Sequence, residues 1–233
     1  MLVITFSKPE KGSIIFKRTI DEMNNIGVNS LGIVTMISVF MGAVTTIQTA
    51  YQLIASYIAD SVIGSVVSDS TILELSPTIT SLVLAGRVGS NIASEIGTMR
   101  VSEQIDALDV MGINSAGYLI MPKIIAGLIA IPTLVVLSMG LSIGGGIFAG
   151  HFTGIVSIND FVLGMRDTFR TFTLIFALIK AFSFAFVLTS IPAFQGYYTR
   201  GGALEVGQSS TRAVVVSCVF ILFLDYLLAS LFL

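Results

Sequence analysis

No charged side chain occurs between Met23 and Ala59, a stretch that is longer than the roughly 20 residues an α-helix needs to cross a bilayer. Of the 233 residues in the whole chain, 54% are apolar and 11% are charged, against about 25% charged in a typical soluble domain. A water-soluble fold needs more charge to cover its surface, so cytosolic enzymes, secreted disulfide scaffolds, coiled coils and disordered chains are excluded. The stretch predicts the first transmembrane helix of an integral membrane protein.

The chain has few of the residues that nucleic-acid binding, metal binding or catalysis require. Its formal net charge of −2 leaves no basic excess to neutralise phosphates, which argues against a nucleic-acid partner. One histidine and the single cysteine Cys218 argue against a zinc site, and we expect no cofactor. No phosphate-binding loop and no recognisable catalytic triad are present, so we expect no enzymatic activity. Uphill transport by this chain therefore needs a partner or an ion gradient as its energy source.

The first 27 residues contain an amphipathic pattern between Glu10 and Ile26. At 100° per residue, apolar side chains share one arc of a helix and charged side chains share the opposite arc. The apolar arc consists of Ile15, Phe16, Ile20, Met23 and Ile26, and the charged arc of Lys11, Lys17, Arg18, Asp21 and Glu22. The pattern predicts an interfacial helix in the headgroup layer of the cytoplasmic leaflet. A soluble helix packed on a partner is the alternative.

Four further spans are predicted over residues 71–96, 120–150, 172–194 and 213–233, connected by segments that are shorter or more polar. We expect loops over residues 60–69, 151–170 and 195–212. The two outer loops of this arrangement contain only the cations Arg166 and Arg170, whereas the inner segments collect most of the others. The positive-inside rule therefore predicts a cytoplasmic N-terminus, and five spans then predict a periplasmic C-terminus.

The second predicted span carries two rows of residues that repeat every four positions. Ala85, Gly89, Ala93 and Gly97 form a small row, beside which lie Gly86, Ser90 and Ser94. Arg87, Asn91 and Glu95 form a polar ladder. Small residues at this spacing allow close helix contact, so this span is expected to be buried among helices or against a second copy. The ladder either takes part in transport or only stabilises the helix bundle.

The third predicted span repeats the small-residue theme. Gly140 and Gly144 are spaced as GxxxG, as are Gly146 and Gly150. This spacing alone is a weak signal of helix contact, because many membrane helices carry it by composition.

The segment 101–112, VSEQIDALDVMG, predicts a short amphipathic helix that stops at Gly112. Ile105, Leu108 and Met111 lie on one side of it, and its acidic residues are expected to be exposed. A coupling helix that lies along the cytoplasmic surface and contacts a partner has this character. A solvated connector helix is the alternative.

Two opposite charges are predicted at the same depth in the last two spans. Lys180 and Asp225 each lie eight positions from the outer end of their span, or ~12 Å at 1.5 Å per residue. Because a lone charge at such depth is costly, we expect an ion pair between them. In the alternative, Lys180 extends outward to the interface and Asp225 is protonated.

The run from Glu74 to Gly112, ELSPTITSLVLAGRVGSNIASEIGTMRVSEQIDALDVMG, resembles the hallmark region of the MlaE-type permeases. These permeases are the membrane subunits of ABC transporters that move phospholipids and related lipids. The resemblance extends through Pro122 and Pro132, the segment FALIKAFSFAF, the loop GGALEVGQSSTRAVV and the last span FILFLDYLL. Family members often have Arg and Gly where this chain has Leu73 and Ser76.

The resemblance implies an interfacial helix over residues 1–27 and a single permease domain over residues 28–233, with five transmembrane helices and a cytoplasmic coupling helix. It further implies a homodimer flanked by two ATPase subunits, with an MCE-type lipid-binding protein on the outer side of a bacterial inner membrane. Contact with the ATPase is expected at Glu103, Asp106, Ala107, Leu108 and Gly112.

On this interpretation, a cavity for the phospholipid lies on the dimer axis between the second and fifth spans. Its expected lining is Glu74, Leu75, Ile79, Leu82, Leu222 and Tyr226. Glu74 lies one turn before Pro77, where the backbone is loosened near the outer mouth. The alternative function is an ion-gradient-driven channel or transporter that uses the intramembrane charges Arg87, Asn91, Glu95, Lys180 and Asp225. A purely structural assembly subunit gives less reason for these charges.

Overall fold

The computed structural model describes residues 12–53 and 59–232, and these residues form helices and turns without any strand. The predicted all-α class is confirmed. The first part of the predicted interfacial segment, up to residue 11, and the end of the first predicted span, residues 54–58, lie outside the described residues.

The described chain divides into two compact units. The first contains residues 12–30, 81–132 and 182–232, and the second contains residues 31–53, 59–80 and 133–181.

The helices follow one another with short connections. The first three are α1 (Gly12–Ile26), α2 (Leu31–Leu53) and α3 (Ser61–Ser70), with a 3₁₀ turn at Val28–Ser30. The next three are α4 (Thr80–Leu84), α5 (Ser90–Val101) and α6 (Gln104–Val110). The last four are α7 (Ser115–Phe152), α8 (Ile158–Thr168), α9 (Thr171–Tyr197) and α10 (Ala203–Phe232).

In the described part of the chain, four helical stretches are long and apolar enough to cross a membrane. They are Ile15–Leu53, Ser115–Phe152, Thr171–Tyr197 and Ala203–Phe232. The second predicted span is not among them, and two π-helical segments, Thr71–Ile79 and Ala85–Gly89, lie within it. Pro77 lies inside the first of these segments, where its missing N–H removes a helical hydrogen bond. Such π-helical turns frequently accompany functional sites.

The predicted loop over residues 195–212 is mostly helical, because α10 begins at Ala203. The loops predicted over residues 60–69 and 151–170 are wrong, because they contain the helices α3 and α8. Glycines bring the backbones of these helices into contact. A Cβ atom at Gly64 would overlap the backbone of Phe161, and one at Gly164 would overlap the carbonyl of Ser61. Phe161 packs in a buried apolar cluster with α2 and α3, so tertiary burial stabilises helices that are too short to be recognised as spans.

Within the second unit, α2 packs closely against the C-terminal half of α7. The contact lies at Gly42, which faces the backbone of Ser142, and at Gly145, which faces the backbone of Val39. Of the two predicted glycine pairs, Gly146 and Gly150 approach the side chain of Thr46 on α2. The other pair is Gly140 and Gly144, where an added Cβ atom would have no neighbour within 4 Å among the described residues.

Within the first unit, the small row of the second predicted span is buried and in close contact with other helices. Cβ positions at Gly89 and Gly97 lie 3.3 Å from side-chain atoms of Pro192 and Val206, respectively. A Cβ atom at Gly196 would lie 2.7 Å from the carbonyl oxygen of Ala93. The prediction that this row mediates close helix packing is therefore confirmed.

Candidate functional site

A buried lysine is bonded to a carboxylate at the first π-helical segment. Lys180 Nζ, on α9, donates hydrogen bonds of 2.7 Å to Glu74 Oε2 and 3.2 Å to the carbonyl oxygen of Leu73. The Lys180 side chain is fully buried, whereas 54% of the Glu74 side chain is exposed. The ammonium also lies 5.0 Å from the centre of the Phe176 ring. Glu74 therefore joins a buried cation to an accessible edge of this segment.

The surroundings of this pair are apolar. Ala177 and Ala181, on either side of Lys180 along α9, pack in a buried cluster with Ile72, Val135 and Met139. In such an environment an ammonium without a partner is costly, so Glu74 stabilises the charged form of Lys180. Both residues stand out in the sequence as charges within predicted spans, but estimated depth along the helices paired Lys180 with Asp225 and not with Glu74. The opposite charges of Lys180 and Glu74 were the sequence signal that could have paired them.

A second buried lysine lies in the first unit and was not predicted from the sequence. Lys123, on α7, is 2% exposed. Its Nζ donates to Glu22 Oε1 of α1 at 2.5 Å and to Glu95 Oε2 of α5 at 2.8 Å. Glu95, which the polar ladder places near Arg87, is thus held by Lys123. One ammonium links three helices of the unit.

Arg87 and Asn91 of the ladder are exposed and line a cleft of about 320 Å³. Glu22, Asn25 and Asn29 supply the other polar groups of its wall. Arg87 makes no hydrogen bond or ion pair with any residue that the structure describes. Within the ladder, Glu95 is therefore held in the helix packing by Lys123, whereas Arg87 faces the cleft.

The predicted coupling segment forms the helix α6, and its predicted stop is confirmed. Gly112 adopts φ +78° and donates its N–H to the carbonyl of Asp109, while the N–H of Ile113 reaches the carbonyl of Leu108. This pair of bonds is the Schellman arrangement, which glycine adopts most readily because it has no Cβ atom.

One side of α6 is anchored and the other is open. Ile105 is fully buried, and the carboxylate of Asp106 accepts a 2.6 Å hydrogen bond from Arg100. Glu103 and Ala107 are exposed, Leu108 is half-buried, and Val110 and Met111 project apolar side chains that are 88% and 65% exposed. The segment thus presents acidic and apolar groups together on its open side.

The remaining predicted site residues lie in different units. Glu74, Leu75 and Ile79 belong to the second unit, while Leu82, Leu222 and Tyr226 belong to the first. Leu222 and Tyr226 are exposed on α10, and Asp225 between them is buried. The predicted cavity and the predicted pairing of Lys180 with Asp225 both require residues of the two units, and both stay predictions.

Comparison with known proteins gives consistent relatives. The family model described as Permease MlaE matches residues 19–231. A probable ABC transporter permease protein of Rickettsia bellii is 37% identical over 219 residues, which cover 94% of this chain and 84% of the relative. The chloroplastic protein TRIGALACTOSYLDIACYLGLYCEROL 1 of Arabidopsis thaliana is 36% identical, with 95% and 63% covered. The intermembrane phospholipid transport system permease protein MlaE of Haemophilus influenzae is 31% identical, with 93% and 83% covered.

Proposed function

The chain belongs to the MlaE permease family, and from this premise we propose that it moves phospholipids between the inner membrane and the outer envelope of a bacterium. That it is a multi-pass membrane protein and an ABC transporter permease follows from its apolar helices and its relatives. Phospholipid as the substrate is supported by the name of the Haemophilus influenzae relative. The energy comes from ATP hydrolysed by a separate subunit.

The proposed architecture is an interfacial helix over residues 1–27 followed by a single permease domain over residues 28–233. Residues 71–96 also cross the membrane, as the second of five spans, with the N-terminus in the cytoplasm and the C-terminus in the periplasm. The exposed apolar side chains of Phe16 and Ile20 on α1 support an interfacial position for this helix.

The proposed assembly is a homodimer with two ATPase subunits and an MCE-type lipid-binding protein on the outer side. The open side of α6 supports the ATPase contact, since exposed acidic and apolar groups lie next to each other there. Partner binding at Glu103, Asp106, Ala107, Leu108 and Gly112 transmits closure of the ATPase to the spans.

The ion pair between Lys180 and Glu74 is the observation that carries this proposal. A proton relay through these side chains needs them to change their protonation or their partner, whereas a lipid path through apolar spans tolerates charges that are held in place. Lys180 is fully buried and bonded to a carboxylate and a carbonyl, which favours the lipid path. The lining proposed for the lipid cavity stays the one expected from the sequence, namely Glu74, Leu75, Ile79, Leu82, Leu222 and Tyr226.

Photocrosslinking in the reconstituted transporter tests this function. We expect benzophenone side chains at Leu75 and Tyr226 to capture phospholipid, and we expect transfer of labelled phospholipid between vesicles to require ATP. A benzophenone at Phe148, which is exposed on α7, is the control for bulk lipid. Capture at Phe148 alone, or transfer that an ionophore abolishes while ATP has no effect, would contradict the proposal and favour an ion-driven transporter.

A further inference from the structure

The cleft at Arg87 shares no lining residue with the proposed lipid cavity and has a distinct set of groups. Its wall combines the guanidinium of Arg87 with the carboxamides of Asn25, Asn29 and Asn91 and the carboxylate of Glu22. Buried Val88 and Ile92 supply apolar surface between them. A volume of about 320 Å³ is large enough for a small polar group with several hydrogen-bonding atoms.

The charges around this cleft are balanced but only partly paired. Lys123 holds Glu22 through one carboxylate oxygen, Oε1, and holds Glu95 with a second bond. Two carboxylates and two cations make the cluster formally neutral, yet the guanidinium of Arg87 has no anionic partner in the described chain. The second oxygen of Glu22 likewise makes none of the described bonds.

The cleft therefore presents a positive group and a negative group, each with unused hydrogen-bonding capacity. A guanidinium binds phosphate through two parallel N–H donors, and carboxamides add further donors to phosphate oxygens. A carboxylate oxygen accepts a hydrogen bond from an ammonium group. A ligand that carries one phosphate and one ammonium matches both groups without adding net charge to a neutral cluster.

We propose that this cleft binds the headgroup of a zwitterionic phospholipid, with the phosphate on Arg87 and the primary ammonium on Glu22. The proposal rests on the proposed function, which supplies lipid as the substrate class. The cleft lies beside the end of α1 and the turn at Val28–Ser30, which the predicted topology places near the cytoplasmic leaflet. It thus selects a lipid by its headgroup on the cytoplasmic side.

Binding of short-chain lipids to the purified transporter tests the assignment. Native mass spectrometry compares phosphatidylethanolamine, phosphatidylglycerol and diacylglycerol that carry the same acyl chains. We expect Arg87→Gln to weaken binding of both phospholipids by about tenfold, because one charged hydrogen-bonding pair is lost, and to leave diacylglycerol binding unchanged. Arg87→Lys restores part of the affinity, and Arg166→Gln, which removes the same charge from α8, has no effect.

The carboxylate of Glu22 has a matched control in Glu95, which Lys123 also binds. Glu22→Gln should reduce the preference for phosphatidylethanolamine over phosphatidylglycerol. Glu95→Gln removes the other carboxylate held by Lys123 but does not line the cleft, so it should keep that preference. A thermal-unfolding measurement on each variant confirms that a folded protein is compared, and Asn29→Leu provides a second lesion if Arg87→Gln does not fold.

Each alternative outcome has a clear meaning. Equal phospholipid binding by Arg87→Gln and the unaltered protein would overturn the site. If phosphoethanolamine in solution binds as tightly as the lipid, the ligand is a soluble metabolite and the lipid assignment is wrong. If Arg87→Glu abolishes self-association but keeps lipid affinity, the cleft is a contact between copies. If the unaltered transporter shows Arg87-dependent lipid binding but no ATP-driven lipid transfer, only the proposed function is contradicted.

Discussion

Lys180 is fully buried on α9 and donates a 2.7 Å hydrogen bond to Glu74, which lies 106 residues away in a π-helical segment and is half-exposed. The two partners therefore differ in what each loses when the other is removed. Without Lys180, the half-exposed carboxylate of Glu74 can be hydrated. Without Glu74, the buried ammonium of Lys180 loses a carboxylate and keeps the neutral carbonyl of Leu73 among its described hydrogen-bond acceptors. The pair is asymmetric in its energetic consequences.

We predict that Glu74→Gln destabilises the protein more than Lys180→Met does. Removing one partner of a buried ion pair costs about 3–5 kcal/mol, and the exposure of Glu74 brings the loss toward the lower end of that range. Thermal unfolding in detergent of the two single variants and the double variant measures this. If the loss of stability in the double variant equals the sum of the two single losses, the bond contributes nothing.

The predicted pairing of Lys180 with Asp225 is tested by the same type of cycle. If it forms, either single change, Lys180→Met or Asp225→Leu, harms stability and transport more than both together do. The Lys180–Glu74 cycle is the reference for the size of a real coupling. Strictly additive losses in the Lys180–Asp225 cycle would remove Asp225 as a partner.

Lys123 is predicted to tolerate the loss of one carboxylate but not of two. Glu22→Gln and Glu95→Gln each leave its ammonium one ionised partner, while the double change leaves a buried cation with neither. We expect the double variant to lose clearly more stability than the sum of the singles, as measured by thermal unfolding. Additive losses would mean that the two bonds act independently of the burial of Lys123.

Close packing of α2 against α7 is predicted to forbid a side chain at Gly42 and Gly145. A Cβ atom at either position meets backbone atoms, which cannot rotate away, so alanine should cost about 1–3 kcal/mol or more. Added Cβ atoms at Gly140 and Gly144 on α7 meet no described residue, so Gly140→Ala and Gly144→Ala should be neutral or stabilising, because alanine favours helix by about 1 kcal/mol. Thermal unfolding of the four variants measures the difference, and equal effects in the two sets would contradict the close packing of α2 on α7.

Charge reversal in the coupling segment is predicted to uncouple the ATPase. Glu103→Lys with Asp106→Lys should leave the permease folded, because both side chains are exposed, and should lower lipid-stimulated ATP hydrolysis in the assembled transporter. Since Asp106 also bonds Arg100, the milder pair Glu103→Gln and Asp106→Asn separates loss of contact from local repulsion. Asp167→Lys on α8 is the control. Unchanged stimulation in both double variants would exclude this segment as the coupling site.

Several features were predictable because they depend on local sequence. The apolar stretches identified the membrane class and the helical fold, and the four-residue repeat of small side chains from Ala85 to Gly97 identified a closely packed helix face. The stop of α6 followed from Gly112 alone, since glycine adopts a positive φ at little cost. Periodicity and turn chemistry act within a few residues, so the amino-acid order is sufficient to identify them.

Local sequence signals did not identify the helices α3 and α8 or the glycines that pack α2 on α7. The stability of α3 and α8 comes from burial of Phe161 and from backbone contacts at Gly64 and Gly164, which exist only when segments distant along the chain meet. Hydropathy treated both segments as loops because neither is long enough to span a membrane. The predicted pair of Gly140 and Gly144 fits the motif, but an added Cβ atom there would meet no described neighbour.

By itself, the sequence determined that the chain is a helical membrane protein, which of its residues carry charge into the spans, and where α6 ends. Only the tertiary structure decided that Glu74 is bonded to Lys180 and that Lys123 holds both Glu22 and Glu95. The residues of each pair can be far apart in sequence, as are Lys123 and Glu22, separated by 101 positions. Any opposite charge at a suitable depth satisfies the need to neutralise a buried lysine, and helix packing alone selects which one comes within hydrogen-bonding distance.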